Sequence, residues 1–429
     1  MIAALPLIAL LVALLLGVPI AIALASAGML GLWLVTGDLD RVIGMVSLEP
    51  FTTVSDYALT TIPMFILMAY FSSSSGLAKD LYQAAANSLS HVRGGLAMAT
   101  VFACGIFGAM SGASVAAASV MSKIAMPEMR RHGYSDELAA GSIGVGSTLD
   151  ILIPPSIGMV IYGVATGTSI GQLLIAGIVP GIIVGILLII MIAIWVRVAP
   201  SHAPETFRVP AAERRAALIR VWPSMMLIAL VIGMLYSGVA TPSEIGALGA
   251  LFAALIGARF GHLRWREAID SIKETIRTSA MIFLILIGAV IFGKYMTLSH
   301  IPQDLVAYVT ELNLNRWVVI SLIIVTYFVV SMFMDEIPLL LLTLQLTFPL
   351  ITTLGFDPVW FGVMSMMMVS MGLVFPPVGM VAFVVSATGN VELMKVYTGT
   401  SILMLAILMT TILLMIFPEI VLWLPRTMR

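Results

Sequence analysis

Two proline pairs, Pro154-Pro155 and Pro376-Pro377, interrupt long apolar stretches of the sequence. Proline lacks an N–H donor, and its ring collides with the carbonyl group four residues earlier, so each pair must break a helix. The freed carbonyl groups can coordinate a cation, and the start of the following half-helix can face an anion. Structural kinks without a ligand are the alternative, but two breaks in corresponding positions favour a ligand site.

A polar cluster at residues 111–114 (SGAS) lies inside another apolar stretch. Its hydroxyl and carbonyl oxygens suit a hard cation such as Na⁺. Gly112 permits close approach of the backbone because it has no side chain. The alternative for this cluster is small-residue packing between helices.

The adjacent acids Asp335 and Glu336 form a second polar cluster within an apolar stretch. Ionisable groups at membrane depth are costly, so they indicate a functional site by default. One acid could bind a cation or a proton while the other caps the following helix. Capping alone is the alternative.

Three further features carry open alternatives. Asp150 lies four residues before the first proline pair, and it is either a site residue or the partner of a nearby cation. Lys294 is the only basic residue inside a predicted span, where it either snorkels to the interface or binds a substrate anion. The methionine-rich residues 365–371 indicate adaptable packing rather than a metal site.

Sequence signatures of enzymes are missing. No HExxH or Walker motif occurs, and the five histidines, at positions 91, 132, 202, 262 and 300, fall in predicted loops or at their edges. A serine protease within the membrane would need a base near its hydroxyl, and no predicted span carries a histidine. The single Cys104 excludes disulfides and a cysteine-based metal cluster. We therefore expect no enzyme activity, and no cofactor other than a coupling ion.

The composition identifies the environment of these residues. Of 429 residues, 60% are hydrophobic and 10% are charged, against roughly 45–50% and about 25% in soluble domains. The sequence therefore predicts an all-α polytopic membrane protein in contact with the lipid bilayer. A net charge of −1 argues against nucleic-acid binding. The first thirty-odd residues are expected to stay as a membrane span rather than to be cleaved as a signal peptide.

Basic loops orient the chain. Residues 197–220 and 259–277 each contain five Lys or Arg residues, and they are separated by two predicted spans, at 221–238 and 244–258. Both loops therefore share one face, which the positive-inside rule makes cytoplasmic. Of the 21 Lys and Arg residues, 16 fall on that side. Arg426 and Arg429 are exceptions because they are placed outside.

Two apolar–polar–apolar units are predicted to be re-entrant helical hairpins, since both flanks of each unit fall on one side of the membrane. They are residues 94–126, entered from inside, and residues 316–353, entered from outside. Subtracting 222 aligns Pro376-Pro377 with Pro154-Pro155 and Pro349 with Pro127, so the two units belong to inverted repeats. Inverted repeats with discontinuous helices are typical of alternating-access transporters.

These segments define the predicted organisation. It comprises scaffold helices at 1–72, a first repeat at 73–199, a cytoplasmic loop at 200–220, scaffold helices with an amphipathic connector at 221–278, and a second repeat with a C-terminal span at 279–429. The hairpin tips lie at 111–114 and 334–336, and the broken helices at 138–167 and 358–390.

Several motifs together resemble the DctM-type large membrane subunit of tripartite ATP-independent periplasmic (TRAP) transporters. They are residues 61–71 (TIPMFILMAYF), 105–116 (GIFGAMSGASVA), 151–167 (ILIPPSIGMVIYGVATG), 240–250 (ATPSEIGALGA) and 354–363 (LGFDPVWFGV) with 376–379 (PPVG). The resemblance covers nearly the whole chain. It implies an elevator-type transporter of the ion-transporter superfamily in the bacterial inner membrane, with a small DctQ-type membrane subunit and a periplasmic DctP-type binding protein as partners.

The resemblance also implies which residues bind ligands. Na⁺ would bind between each hairpin tip and the neighbouring broken helix, at Ser111, Gly112, Ser114, Thr148 and Asp150 in the first repeat and at Met334, Asp335, Gly372 and Phe375 in the second. An organic anion would bind between them, at Ser114, Asp150, Pro155, Ser156, Glu336, Pro377 and Gly379.

This sequence departs from the family pattern at several of these positions. The family usually offers polar side chains where Met368, Phe375 and Val381 stand, and an acid at Glu336 is unusual. Asp150 replaces a usual Gly, and Gly158 a usual Pro. We expect a Na⁺-coupled importer of a small organic anion, such as a C4-dicarboxylate, sugar acid or sulfonate. A self-sufficient, proton-coupled carrier without a binding protein is the alternative.

Overall fold

A computed structural model describes residues 5–204, 206, 209–261, 263–312 and 314–428. Arg208, His262 and Arg429, which entered the sequence argument, lie outside the described residues. Within the described residues the chain forms α-helices and short 3₁₀ segments, without a β-strand.

The first twelve helices, in chain order, are α1 Leu5–Leu15, α2 Ile20–Thr36, α3 Leu39–Val46, α4 Glu49–Val54, α5 Thr61–Ser74, α6 Leu77–Leu89, α7 Gly95–Ser111, α8 Ser114–Arg131, α9 Asp136–Ser147, α10 Ile157–Thr166, α11 Ile170–Ala176 and α12 Ile178–Val198. The remaining helices are α13 Ala211–Arg220, α14 Trp222–Ser237, α15 Pro242–Phe260, α16 Trp265–Leu298, α17 Ile301–Glu311, α18 Arg316–Ser331, α19 Glu336–Thr353, α20 Pro358–Gly372, α21 Met380–Gly389, α22 Leu393–Leu403, α23 Leu405–Ile416 and α24 Glu419–Arg426. Short 3₁₀ segments occupy Tyr57–Thr60, Thr148–Ile151 and Pro200–His202.

Six helical segments of the described chain are long and apolar enough to cross a membrane, or seven if the bent pair α13–α14 counts as one span. They are Tyr57–Ser74, Ile170–Val198, Pro242–Phe260, Trp265–Leu298, Glu336–Thr353 and Leu393–Ile416. The protein is therefore a multi-pass membrane protein, as its composition predicts.

Both predicted hairpins form. The first joins α7 to α8 through Gly112, whose φ of +59° suits glycine, and Ala113. The second joins α18 to α19 through residues 332–335. Both proline pairs break a helix as expected, the first between α9 and α10 and the second between α20 and α21.

The two repeats interlock. Helix α8 of the first hairpin packs against α21, and α19 of the second hairpin packs against α10, so each hairpin contacts the second half of the other repeat's broken helix. Arg130, near the end of α8, donates to the carbonyl oxygens of Gly389 (3.0 Å) and Asn390 (2.9 Å) at the end of α21. It also forms a 2.7 Å ion pair with Asp136. A basic side chain is favourable at this position because the last carbonyl groups of a helix have no hydrogen-bond partner within the helix.

Helices α2 and α16 cross closely, and at two glycines their backbones come into direct contact. A Cβ atom at Gly28 would lie 2.7 Å from the backbone nitrogen of Phe292, and one at Gly288 would lie 2.5 Å from the carbonyl oxygen of Ala21. Small residues at such a crossing let two membrane helices pack through their backbones.

Helix α16 differs from its prediction. The sequence indicated a basic connector ending near residue 278 and a separate span starting at 281, whereas one helix runs from Trp265 to Leu298. Its start is stabilised because Glu267 accepts a hydrogen bond from the backbone N–H of Arg264 (3.1 Å). The charged residues before 278 are compatible with a helix. Their polarity therefore shows where the apolar part of α16 begins, but not where the helix itself begins.

Lys294, near the end of α16, contacts the two short helices α3 and α4. Its Nζ forms an ion pair with Glu49, the first residue of α4, and donates to the carbonyl oxygen of Met45 in α3 (3.0 Å). The ammonium charge is thus compensated within the protein, which favours an anchoring function over the substrate-anion function considered from the sequence.

We expect Gly28→Ala to lower the thermal unfolding temperature of the purified protein, because the new methyl group collides with backbone atoms that cannot rotate away. Overpacking of this kind costs about 1–3 kcal/mol. Gly185→Ala in α12 is the matched control, since a Cβ there has no neighbour within 4 Å. Equal unfolding temperatures for the two variants would contradict the close α2–α16 crossing.

Candidate ion and substrate site

The tip of the first hairpin rests directly on the first helix break. A Cβ atom at Gly112 would lie 3.1 Å from the carbonyl oxygen of Pro155, and one at Gly108 would lie 2.6 Å from Cβ of Asp150. Any larger residue at Gly108 would push α7 away from the break. The glycines of the hairpin therefore bring its polar tip to the residues around the proline pair.

Ser114 and Asp150 meet at this contact. The hydroxyl of Ser114, the first residue of α8, donates to Oδ1 of Asp150 at 2.6 Å. Asp150 is only 1% exposed, and its Oδ2 has no hydrogen-bond partner in the described structure. A buried carboxylate oxygen without a partner is costly unless a cation or a donor joins it. The pair can therefore supply one carboxylate and one hydroxyl oxygen to a hard cation.

The other first-repeat candidates line the same break. Ser111 is the last residue of α7, and its hydroxyl group donates weakly to the carbonyl oxygen of Gly108 (3.4 Å). Thr148 is the first residue of the 3₁₀ turn, and its hydroxyl group donates to the carbonyl oxygen of Val145 (2.9 Å). Ser156 caps α10 by accepting from the backbone N–H of Met159 (3.3 Å). Their hydroxyl oxygens keep lone pairs, because an oxygen that donates can still accept.

The second hairpin tip packs against the second break in the corresponding way. A Cβ at Gly372 would collide with the Ser331 hydroxyl group at 1.8 Å, so only glycine fits. The backbone N–H of Gly379, at φ +57°, donates to the carbonyl oxygen of Met332 (3.0 Å). The ring of Phe375 packs against Phe328, with centroids 5.4 Å apart. Phe375 thus contributes its backbone, not a polar side chain, to this region.

The acids of the second tip have different environments. Asp335 is partly buried beside Met334, and it caps α19 by accepting from the backbone N–H of Glu336 (2.9 Å). Glu336 is 7% exposed, and its Oε2 has no partner within the described structure. Helix capping therefore accounts for Asp335 in part, and it leaves the carboxylate of Glu336 unexplained.

Two residues that the sequence did not indicate hold the second break. The hydroxyl group of Tyr397 lies within hydrogen-bond distance of the carbonyl oxygens of Pro377 (3.0 Å) and Val378 (2.7 Å). The hydroxyl group of Thr400 donates to the carbonyl oxygen of Val374 (2.8 Å). Both lie on α22, twenty or more residues after the proline pair. Single hydroxyl groups on an apolar helix carry no signal of such a function.

The two breaks differ in accessibility. Pro155 and Ser156 are buried, whereas Phe375 is partly exposed and Pro377 is exposed. The predicted residues thus gather into two groups, one at each tip and break. Glu336 extends from the second group towards the first, because a Cβ at Gly158 in α10 would lie 3.5 Å from its Oε2.

A metal cluster is not part of this site. No group of three or more His, Cys, Asp or Glu side chains positioned to hold a metal ion occurs in the described part of the chain. The oxygens available at the two breaks come mainly from hydroxyl and carbonyl groups, together with the carboxylate of Asp150 at the first tip contact and those of Asp335 and Glu336 at the second. Such oxygens are typical ligands of hard cations.

Comparison with solved structures identifies the fold. The structure superposes on the crystal structure of the YdaH transporter of Alcanivorax borkumensis with a TM-score of 0.64, covering 89% of each chain at 15% sequence identity. The chain thus shares the fold of that protein, and in this chain the fold includes two hairpins and two broken helices.

The sequence identifies the family. Residues 7–420 match the DctM component of the tripartite ATP-independent periplasmic transporter, and the chain belongs to this family. It is 33% identical to the C4-dicarboxylate TRAP transporter large permease protein DctM of Pseudomonas aeruginosa, over 89% of each chain. It is also 31% identical to the isethionate TRAP transporter permease protein DctMQ of Oleidesulfovibrio alaskensis, over 92% of this chain and 62% of that one.

We expect Tyr397→Phe to lower the unfolding temperature, because two carbonyl groups at the second break lose their donor. The loss of one such hydrogen bond costs about 0.5–1.5 kcal/mol, and more where a buried group stays unsatisfied. Tyr308→Phe, at a side chain that is 61% exposed, is the control. Thermal unfolding in detergent compares the two, and an unchanged temperature for Tyr397→Phe would show that water replaces the hydroxyl at no cost.

Proposed function

We propose that this protein is the large membrane subunit of a Na⁺-coupled transporter that imports a small organic anion across a bacterial inner membrane. The observation that carries the proposal is the buried contact of Ser114 with Asp150 at the first break, where one carboxylate oxygen has no partner. The proposed partners are a small DctQ-type membrane subunit and a periplasmic DctP-type binding protein.

The first proposed Na⁺ site lies between hairpin tip and break. Asp150 Oδ2 and the hydroxyl oxygen of Ser114 supply side-chain ligands, and Ser111, Gly112 and Thr148 supply further oxygens nearby. A bound Na⁺ would satisfy the unpartnered carboxylate oxygen and neutralise the buried charge. Hard cations prefer such oxygen ligands.

The second proposed Na⁺ site lies at the other tip and uses mostly backbone oxygens. Asp335 supplies the carboxylate, with Met334, Gly372 and Phe375 contributing carbonyl groups. The aromatic ring of Phe375 provides no ligand, so this site depends on the backbone that the break has released.

The substrate anion is proposed to lie between the two ion sites. Helices α10 and α21 both begin just after a proline pair, and their first N–H groups have no partner within the helix. Helix N-termini favour negative charge. Pro155, Ser156, Pro377 and Gly379 would then shape the anion site, and the names of the two relatives, for C4-dicarboxylate and isethionate, support an anionic solute.

Transport by an elevator movement fits the packing. The interlocked hairpins and broken helices would move as one unit against a scaffold that contains the α2–α16 crossing and the ion pair of Lys294 with Glu49. The DctMQ relative supports a small-subunit partner, because the name DctMQ joins the two permease components in one chain.

We expect Na⁺ to raise the unfolding temperature of the purified protein relative to equal K⁺ or choline. An ion that binds only the folded state stabilises it by RT ln(1 + [L]/Kd), about 2.7 kcal/mol at a hundredfold excess over Kd. Ser114→Ala and Asp335→Asn should each reduce this Na⁺-specific shift, because each removes one oxygen or charge from a proposed site.

Ser224→Ala is the matched control, because Ser224 is also fully buried but lies in α14, away from both breaks. It should keep the full Na⁺ shift. Equal stability in all three salts, with stability changing instead as the pH crosses the carboxylate range, would reject Na⁺ coupling and favour the proton-coupled alternative.

A further inference from the structure

Glu336 is the buried acid that the proposed ion sites leave without a function. Its side chain is 7% exposed, Oε2 has no hydrogen-bond partner, and none of the ion pairs in the described residues includes it. Helix capping at this position is done by Asp335, the preceding residue. Burial of a carboxylate without a partner is costly, so its placement calls for a ligand.

The carboxylate lies against the first turn of α10. A Cβ at Gly158, the second residue of that helix, would lie 3.5 Å from Oε2 and equally far from Cδ. Negative charge is favourable at a helix N-terminus. The carboxylate of Glu336 therefore occupies the position at the N-terminus of α10 that an anionic group of the substrate would otherwise take.

The remaining charges make a second anion at this end unfavourable. Two further acids lie at the tips and breaks that Glu336 joins: Asp335 directly precedes it in the chain, and Asp150 lies in the 3₁₀ turn just before α10. Each of these two acids has a proposed Na⁺ partner, whereas Glu336 has none. Like charges that face one another at a buried site repel strongly.

The other half-helix differs. Helix α21 begins at Met380, directly after Gly379, and no side-chain group caps its N-terminus. In its first turn the backbone N–H of Val381 donates to the carbonyl oxygen of Leu373 (2.9 Å). Within the described residues, the N–H groups of Met380 and Ala382 are left for a carboxylate or sulfonate from the substrate. The two half-helices offer unlike ends of one site, with an open helix N-terminus at α21 and a carboxylate at α10.

From this geometry we propose that Glu336 binds a cationic nitrogen of the substrate, so that the transported solute is a zwitterion whose anionic end faces α21. This inference depends on the proposed function, since it assigns the substrate class of the same site. Glu336 would be the specificity-determining residue that separates zwitterions from dianions.

Matched probe pairs test the proposal in purified protein held at saturating Na⁺. β-Alanine and succinate share a two-methylene chain but end in an ammonium group and a carboxylate, and γ-aminobutyrate and glutarate form the same pair with three methylenes. We expect the amino acids, and not the diacids, to raise the unfolding temperature. Glu336→Gln, which keeps the shape, should raise the amino-acid concentration for half-maximal shift about tenfold or more, since hydrogen bonds to charged groups contribute about 1.5–3 kcal/mol.

Glu274→Gln, at an exposed glutamate in α16, is the control and should respond as the unaltered protein does. The Na⁺-specific shift of Glu336→Gln shows that the variant is folded and keeps its ion sites. A Na⁺ shift without any preference for the amino acids, or an equal preference in Glu336→Gln, would overturn this inference alone. Absence of the Na⁺ shift in the unaltered protein would instead overturn the proposed function.

Discussion

A helix that breaks inside an apolar layer leaves carbonyl and N–H groups that water cannot reach, and this constraint governs the arrangement of the whole protein. Each proline pair creates such a break, and the freed groups must find partners in the protein or a ligand. The hairpin tips lie at the breaks for that reason. At the first break, Gly112 of the first tip lies close to the carbonyl oxygen of Pro155. At the second break, the backbone N–H of Gly379 donates to the carbonyl oxygen of Met332 in the second tip.

The two breaks meet this constraint by different means. At the second, hydroxyl groups of α22 reach the carbonyl oxygens of residues 374, 377 and 378, so the protein satisfies much of its own backbone. At the first break, the corresponding contact is the buried hydrogen bond from Ser114 to Asp150, which leaves Oδ2 of Asp150 without a partner in the described structure. Repeats that correspond in backbone thus differ in chemistry. Under the proposed function, the first site therefore depends on a bound cation more than the second does.

The sequence was sufficient for the parts of the fold that depend on local rules. Proline chemistry located both breaks, the polar tips located both hairpins, and the 222-residue offset related them. Prediction from the sequence failed where contacts between residues far apart in the chain determine the structure. The charged start of α16 was predicted to be a basic loop, and no sequence pattern distinguished Tyr397 from other aromatic residues. The partner of Lys294 lies 245 residues away, so no local pattern could reveal the ion pair.

The same distinction applies to the site. The type and position of Asp150, Asp335 and Glu336 marked them as candidates, but their different environments emerge only from packing. Asp335 caps a helix, Asp150 accepts from a serine, and Glu336 lies against Gly158 without a hydrogen-bond partner for Oε2. None of the three forms an ion pair with a basic side chain of the described chain. Buried charge must be compensated, and under the proposed function the bound Na⁺ and the cationic end of the solute supply that positive charge. Ions and solute that bind together would then stabilise one another, because each lowers the electrostatic cost of the next, and such mutual stabilisation is the energetic basis of coupled transport.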